Sequence, residues 1–167
     1  FPIFYDWIKS AARVEPGEGP HALKLPRPDG TTARLGVLNC YEGIIPSYNR
    51  KLLQTAPDVL INVTNDDWFN SVAQRHLHFA LAIPRSIESR RVFLRATLTG
   101  VSAVVDANGR VLKRTALEEP ETLLHETPLM RPWTLYASIG DLAPQLALML
   151  MVIGWVIARR EEDKSEG

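Results

Sequence analysis

Residues 142–158, LAPQLALMLMVIGWVIA, run for 17 positions without a charged side chain. A bilayer core asks about 17–25 mostly apolar residues of a spanning helix, so this run is just long enough to cross one. Pro144 falls in the first turn, where the N–H it lacks has no helical partner in any case. Trp155 near the far end suits a membrane–water interface. Arg159 and Arg160 follow, then EEDKSEG. Flanking arginines favour the cytoplasmic side, and Asp and Glu weigh little in that rule. The C-terminus is therefore expected in the cytoplasm and the preceding domain across the membrane. In a bacterium this means the inner (cytoplasmic) membrane, with the domain in the periplasm. The competing reading is a long core helix of a soluble domain.

The rest of the chain reads as one α/β domain. Its 19 basic and 19 acidic residues cancel, leaving no basic face for nucleic acid. The single cysteine rules out an internal disulfide, and Cys and His lack the spacing of a structural zinc site. No metal or organic cofactor is expected. The opening FPIFYDWIKS lacks the series of basic, apolar and cleavage segments that marks a signal peptide, and a start at Phe1 suggests a portion of a longer protein. VEPGEGP and LPRPDG predict turns and an extended excursion over residues 1–30. TTARLGVLNC predicts a strand entering a tight turn at Cys40–Gly43, and Ser47–Thr55 a helix. DVLINVTND predicts a buried strand.

Residues 73–91 have helical periodicity, with Leu77, Ala80, Leu81, Pro84 and Ile87 on one face; Pro84 should kink or interrupt it. Two strands, a type I′ turn at Asn108-Gly109 and another strand follow. ETLLHETPL suggests one more short strand. Strands alternating with helices and one hairpin imply a mixed sheet. The expected boundaries are a domain over 1–136, a membrane helix with its lead-in over 137–160, and a charged cytoplasmic tail over 161–167.

Cys40 is the residue that could carry chemistry. A lone cysteine among apolar neighbours commonly behaves as a small buried hydrophobe. On a sharp strand-to-helix turn, however, it projects outward, and nearby helix N–H groups favour its thiolate. Glu42 is the nearest candidate partner, or else a solvated turn carboxylate. Asp66 and Asp67 read as turn and capping residues. Trp68 and Phe69 either wall a site or fill core. His76 and His78, two apart on a helix, face different directions and read as structural or surface residues. Arg90, Arg91 and Arg95 could meet lipid phosphate, with solvated or ion-paired roles as the default.

LGVLNCYEG, followed by VLINVTNDDWF, resembles the nucleophile strand and next strand of the nitrilase superfamily. NDDWF is similar to the NDAWFG signature of the apolipoprotein N-acyltransferase family. Downstream, HFALAIPRSIESRRVFLRATLTGVSAVVDANGRV follows that family's order, with His78, Arg85, Glu88, Arg91, Arg95, Thr97 and Gly100 at matching places. TLYASIGD resembles its link into the last membrane helix. The likeness covers about residues 33–160. Asn70, Leu77, Leu98 and Pro84 depart from the pattern.

The resemblance implies part of a nitrilase-like α-β-β-α sandwich with one C-terminal transmembrane helix. It implies Cys40 as nucleophile, with Tyr41, Glu42, Trp68 and Phe69 supporting or binding substrate. The implied partners are a phospholipid acyl donor, a diacylglyceryl apolipoprotein acceptor and the membrane. The family's general-base Glu and oxyanion Lys precede the Cys, and no segment of residues 1–39 matches their motifs. Lys9, Glu15, Glu18 and Lys24 are available by type only, so this fragment alone is expected to be inactive. The alternatives are an amidase of the nitrilase type, which needs no apolar span, and a membrane-anchored module without catalysis.

Overall fold

The computed structural model describes residues 17–117 and 119–165. The expectations placed on the aromatic opening Phe1–Ile8, on Lys9 and on Glu15 lie outside them. Six strands form one sheet in sequence order. They are β1 (Ala22–Pro26), β2 (Thr32–Asn39), β3 (Val59–Thr64), β4 (Phe93–Thr97), β5 (Ala103–Val105) and β6 (Val111–Arg114). β2, β3 and β4 pair in parallel, and the outer pairings are antiparallel. The sheet is thus mixed, as the sequence predicts.

Helices α1 (Pro46–Leu53), α2 (Val72–Ala82) and α3 (Pro84–Ser89) are the crossover segments between the parallel strands, as parallel pairing requires. Leu52, Leu53, Phe79 and Ala82 from these helices meet Leu38, Leu60, Phe93 and Val105 in one buried core. Alternation along each strand decides which side chains join it. In β3, Leu60 and Asn62 are buried, while Ile61 and Val63 take the opposite face and are less so. In β4, Phe93 and Arg95 are the buried pair. Two polar side chains therefore stand on the core face of adjacent strands.

The interruption expected at Pro84 falls there: residues 73–91 form two helices, α2 and α3, parted at Ile83–Pro84. Pro84 opens α3, where its missing N–H is harmless. Three expectations change. The Pro- and Gly-rich region contains β1, an edge strand with four of its five residues exposed. Such a strand lacks the alternating burial that sequence reading depends on. No strand forms over 121–129. Pro120 precedes that segment and Pro128 lies within it, neither with an N–H to donate, and Lys113 Nζ donates to the Leu124 carbonyl at 2.6 Å. The hairpin turn is not type I′ either. Asp106 Oδ1 accepts from the Asn108 and Arg110 amides at 2.8 and 2.9 Å. Of the two central residues only Gly109 has positive φ, at +83°. This is a side-chain-stabilised turn closed by a left-handed glycine, with a register shift beside it.

After β6 the chain returns to the domain through Asp58. Its carboxylate pairs with the Arg131 guanidinium and accepts the Arg34 amide at 2.7 Å. Burial alone would raise the Asp58 carboxyl, but Arg131 and Arg34 hold it below its ordinary value. A short helix, α4 (Leu135–Ile139), follows. Thr134 caps it, accepting the Ala137 amide at 3.1 Å, while its hydroxyl donates to the Glu88 carbonyl at 2.7 Å. Gly140, at φ +56°, ends α4, and a Cβ there would overlap the Arg50 guanidinium. The last helix, α5 (Leu142–Ser165), is long and apolar enough over Leu142–Arg159 to cross a membrane, and none of that stretch is buried.

Candidate active site

Cys40 closes β2 and opens a 3-10 turn over Cys40–Ile44. Its φ is +49°, a left-handed conformation costing a non-glycine residue roughly 1–2 kcal/mol. Strain of this kind persists only where the surroundings enforce it, and it gathers at functional sites. Several groups enforce it here. Glu42 Oε2 accepts the Asn39 amide at 2.7 Å, and Glu42 also hydrogen-bonds with Tyr48. From β3, Asn62 Nδ2 donates to the carbonyls of Leu38 at 3.0 Å and Cys40 at 3.2 Å.

Behind Asn62 lies a buried polar cluster. Arg95 Nη1 donates to Asn62 Oδ1 at 2.5 Å, and Arg95 Nη2 donates to Asp66 Oδ2 at 2.9 Å. His78 Nδ1 lies 2.8 Å from Asp66 Oδ1 and 3.0 Å from Arg95 Nη2. The Arg95 and Asp66 side chains are fully buried, and His78 is 3% exposed. Its Nε2 finds no hydrogen-bond partner among the described residues.

Tyr41, Phe69 and His78 stack into one aromatic cluster. Ring centroids are 5.3 Å apart for Tyr41–His78, 5.2 Å for Phe69–His78 and 6.3 Å for Tyr41–Phe69. Together with Ile44, Gln74, Leu77 and Leu81 they line a cavity of about 230 Å³. Of the residues singled out from sequence, Cys40, Tyr41, Glu42 and Phe69 converge on the elbow. Trp68 is 84% exposed and is not among the cavity residues. His76 is exposed, Arg90 reaches Asn108, and Arg91 is buried against the Pro57 and Ser89 carbonyls. Sequence reasoning missed Asn62 and the gathering of Asp66, His78 and Arg95. The one available signal is the strand period, which sets Asn62 two residues from Leu60 and Arg95 two from Phe93.

Burial pushes His78 below its ordinary value, against the raising pull of its Asp66 bond, and Arg95 adds to the lowering. The folded chain therefore holds a neutral imidazole where the unfolded chain would bind a proton. Its stabilising share is present above the unfolded value of about 6.5 and is lost as pH falls below it. Urea titrations should show stability falling below about pH 6.5, with this group contributing at most about 1.4 kcal/mol per pH unit. A His78→Gln variant should show a shallower fall; an unchanged slope would assign the acid sensitivity elsewhere.

Parallel central strands in a mixed sheet, flanked by helices and with Cys40 at the strand–helix elbow, make a nitrilase-like fold. The carbon-nitrogen hydrolase family profile matches residues 9–133, and the chain belongs to that family. Its relatives include the apolipoprotein N-acyltransferase of Bdellovibrio bacteriovorus, 35% identical over 95% of this chain and 29% of that protein. The enzyme of that name from Thermotoga maritima is 28% identical over 98% of this chain and 32% of its own length. The chain thus spans about three-tenths of these curated relatives. An amidase from Nesterenkonia sp. has the same fold, with a TM-score of 0.51 and 20% identity over 66% of this chain and 42% of its own.

Proposed function

We propose that this chain supplies the nucleophile of a phospholipid-dependent acyltransferase that N-acylates the N-terminal diacylglyceryl-cysteine of apolipoproteins. The observation that carries the reading is Cys40's left-handed elbow beside an apolar cavity, in a chain that ends in a helix fit to span a bilayer. The named relatives support it from sequence. A water-soluble amide needs neither an apolar cavity nor such a helix.

In the first half-reaction the Cys40 thiolate attacks an ester carbonyl of the phospholipid. The bond to the glycerol oxygen breaks, lysophospholipid leaves, and an acyl-thioester remains. In the second, the acceptor's α-amine attacks the thioester carbonyl, an amide forms, and the C–S bond breaks to restore the thiol. Two displacements through one covalent intermediate give ping-pong kinetics. Tyr41 and Phe69 line the acyl path, Glu42 holds the turn, and Trp68 meets the lipid from outside. The family's base and oxyanion lysine match nothing in residues 1–39, so only the nucleophile is assigned. The domain lies on the periplasmic face of the inner membrane, with residues 137–160 as its anchor and lead-in.

Mass spectrometry of the complete enzyme that contains this chain, mixed with phospholipid, should show one acyl group on the Cys40 peptide, released by hydroxylamine. Cys40→Ala should carry none. An equal adduct on that variant would sink the assignment.

A further inference from the structure

We infer that Asn62, oriented by Arg95, is the positioning residue that holds Cys40 in its left-handed conformation. This rests on Cys40 being the nucleophile, and on no particular substrate.

The Asn62 amide is a two-sided group whose faces have opposite hydrogen-bonding character. Its nitrogen side reaches two carbonyls two residues apart, Leu38 at 3.0 Å and Cys40 at 3.2 Å. These carbonyls flank Asn39, and the chain must turn sharply for both to converge on one NH₂ group. A rotated amide would set its oxygen against those two acceptors and lose both bonds. Arg95 prevents the rotation. A guanidinium only donates, so its Nη1, 2.5 Å from Asn62 Oδ1, accepts no other orientation of the amide. Asp66, 2.9 Å from Nη2, fixes Arg95 in turn. Asn62 and Arg95 are register partners on parallel strands, so the sheet itself sets their separation.

The elbow leaves room for this contact. Gly43 lies over the Asn62 amide, and a Cβ there would come within 2.9 Å of Nδ2. Asn62 and Arg95 are both buried on the core face of the sheet, and Asn62 reaches Cys40 through its backbone carbonyl.

Asn62→Asp tests the idea with almost no change of shape. The carboxylate still accepts from Arg95 but cannot donate to Leu38 or Cys40. The fold should survive, as read by circular dichroism and thermal melting. The rate of Cys40 alkylation by iodoacetamide should fall about tenfold or more on the native protein, with Cys40 identified by peptide mapping. Gly43→Ala, which displaces the amide sterically, should lower the rate in the same way and covers the case where Asn62→Asp does not fold. In Gly43→Ala, which adds no charge, the loss measured from about pH 5 to about pH 9, either side of the ordinary thiol value, should be uniform, because presentation and not acidity has changed. Equal alkylation rates in a folded variant and the parent overturn the inference. Fast alkylation in the parent that is unchanged in the variants condemns the positioning role alone. Parent alkylation no faster than in urea, with no acyl adduct, condemns the nucleophile reading as well.

Discussion

Replacing Arg95 with methionine should destabilise the domain by about 3–5 kcal/mol, the usual result of stripping one partner from a buried ion pair. Arg95 and Asp66 sit with both side chains fully buried, 2.9 Å apart. Methionine fills much of the arginine's volume, so cavity formation adds little; the loss is electrostatic and hydrogen-bonded. Asp66 is left with only Thr64 and His78 as hydrogen-bonding side chains, and Asn62 loses the donor to its oxygen. A domain of this size has about 5–15 kcal/mol of stability in all, so the variant should sit near the edge of folding. Urea unfolding of parent and variant measures the loss directly. The double variant Arg95→Met, Asp66→Leu should recover a substantial share, because it removes the stranded charge as well. A single variant within about 0.5 kcal/mol of the parent, the range of ordinary surface substitutions, would mean that the pair is not buried as described.

Met151→Asp should release the chain from membranes. Met151 lies at the middle of the apolar stretch Leu142–Arg159 and is exposed, as a lipid-facing side chain must be. An aspartate at the centre of a spanning helix costs about 2.5–3.5 kcal/mol on insertion scales, on the order of a hundredfold in the insertion equilibrium. This helix only just reaches spanning length and has little surplus to absorb that cost. Expressed in bacteria, this chain should resist alkaline extraction of the membrane fraction, and so should Met151→Leu; Met151→Asp should be extracted. If the aspartate variant stays in the pellet, α5 is not what holds this chain there.

What could be read from sequence follows from where the signal is written. β2, β3 and the elbow were legible because alternating apolar residues end at turn chemistry, and both facts are local. Cys40 stood out from ordinary buried cysteines through its neighbours Asn39, Tyr41, Glu42 and Gly43. β1 was hidden because an edge strand with exposed side chains has no pattern to show. The segment over 121–129 misled for the opposite reason. Leu123, Leu124 and Leu129 give it the content of a strand, but no sheet edge receives it. The Asn62–Arg95 contact was illegible on physical grounds. It joins residues 33 positions apart through parallel register, and register belongs to the folded sheet. Asp66 read as a turn and capping residue, but its carboxylate caps no amide among the described residues; it is buried against Thr64, Arg95 and His78, and nothing local reveals the bond to His78.

The joint between domain and last helix has a mechanical consequence. Arg131 is fastened to Asp58 and Thr134 to the Glu88 carbonyl, while Gly140 is wedged against Arg50. Only Gly140 and Asp141 separate α4 from α5, so no slack tether exists there. A helix of 24 residues extends about 36 Å at 1.5 Å per residue, and a stiff joint turns the domain with it like the hand on a dial. A spanning helix tilts to match the thickness of its bilayer, so under the proposed function lipid thickness sets the angle at which Cys40 faces the membrane.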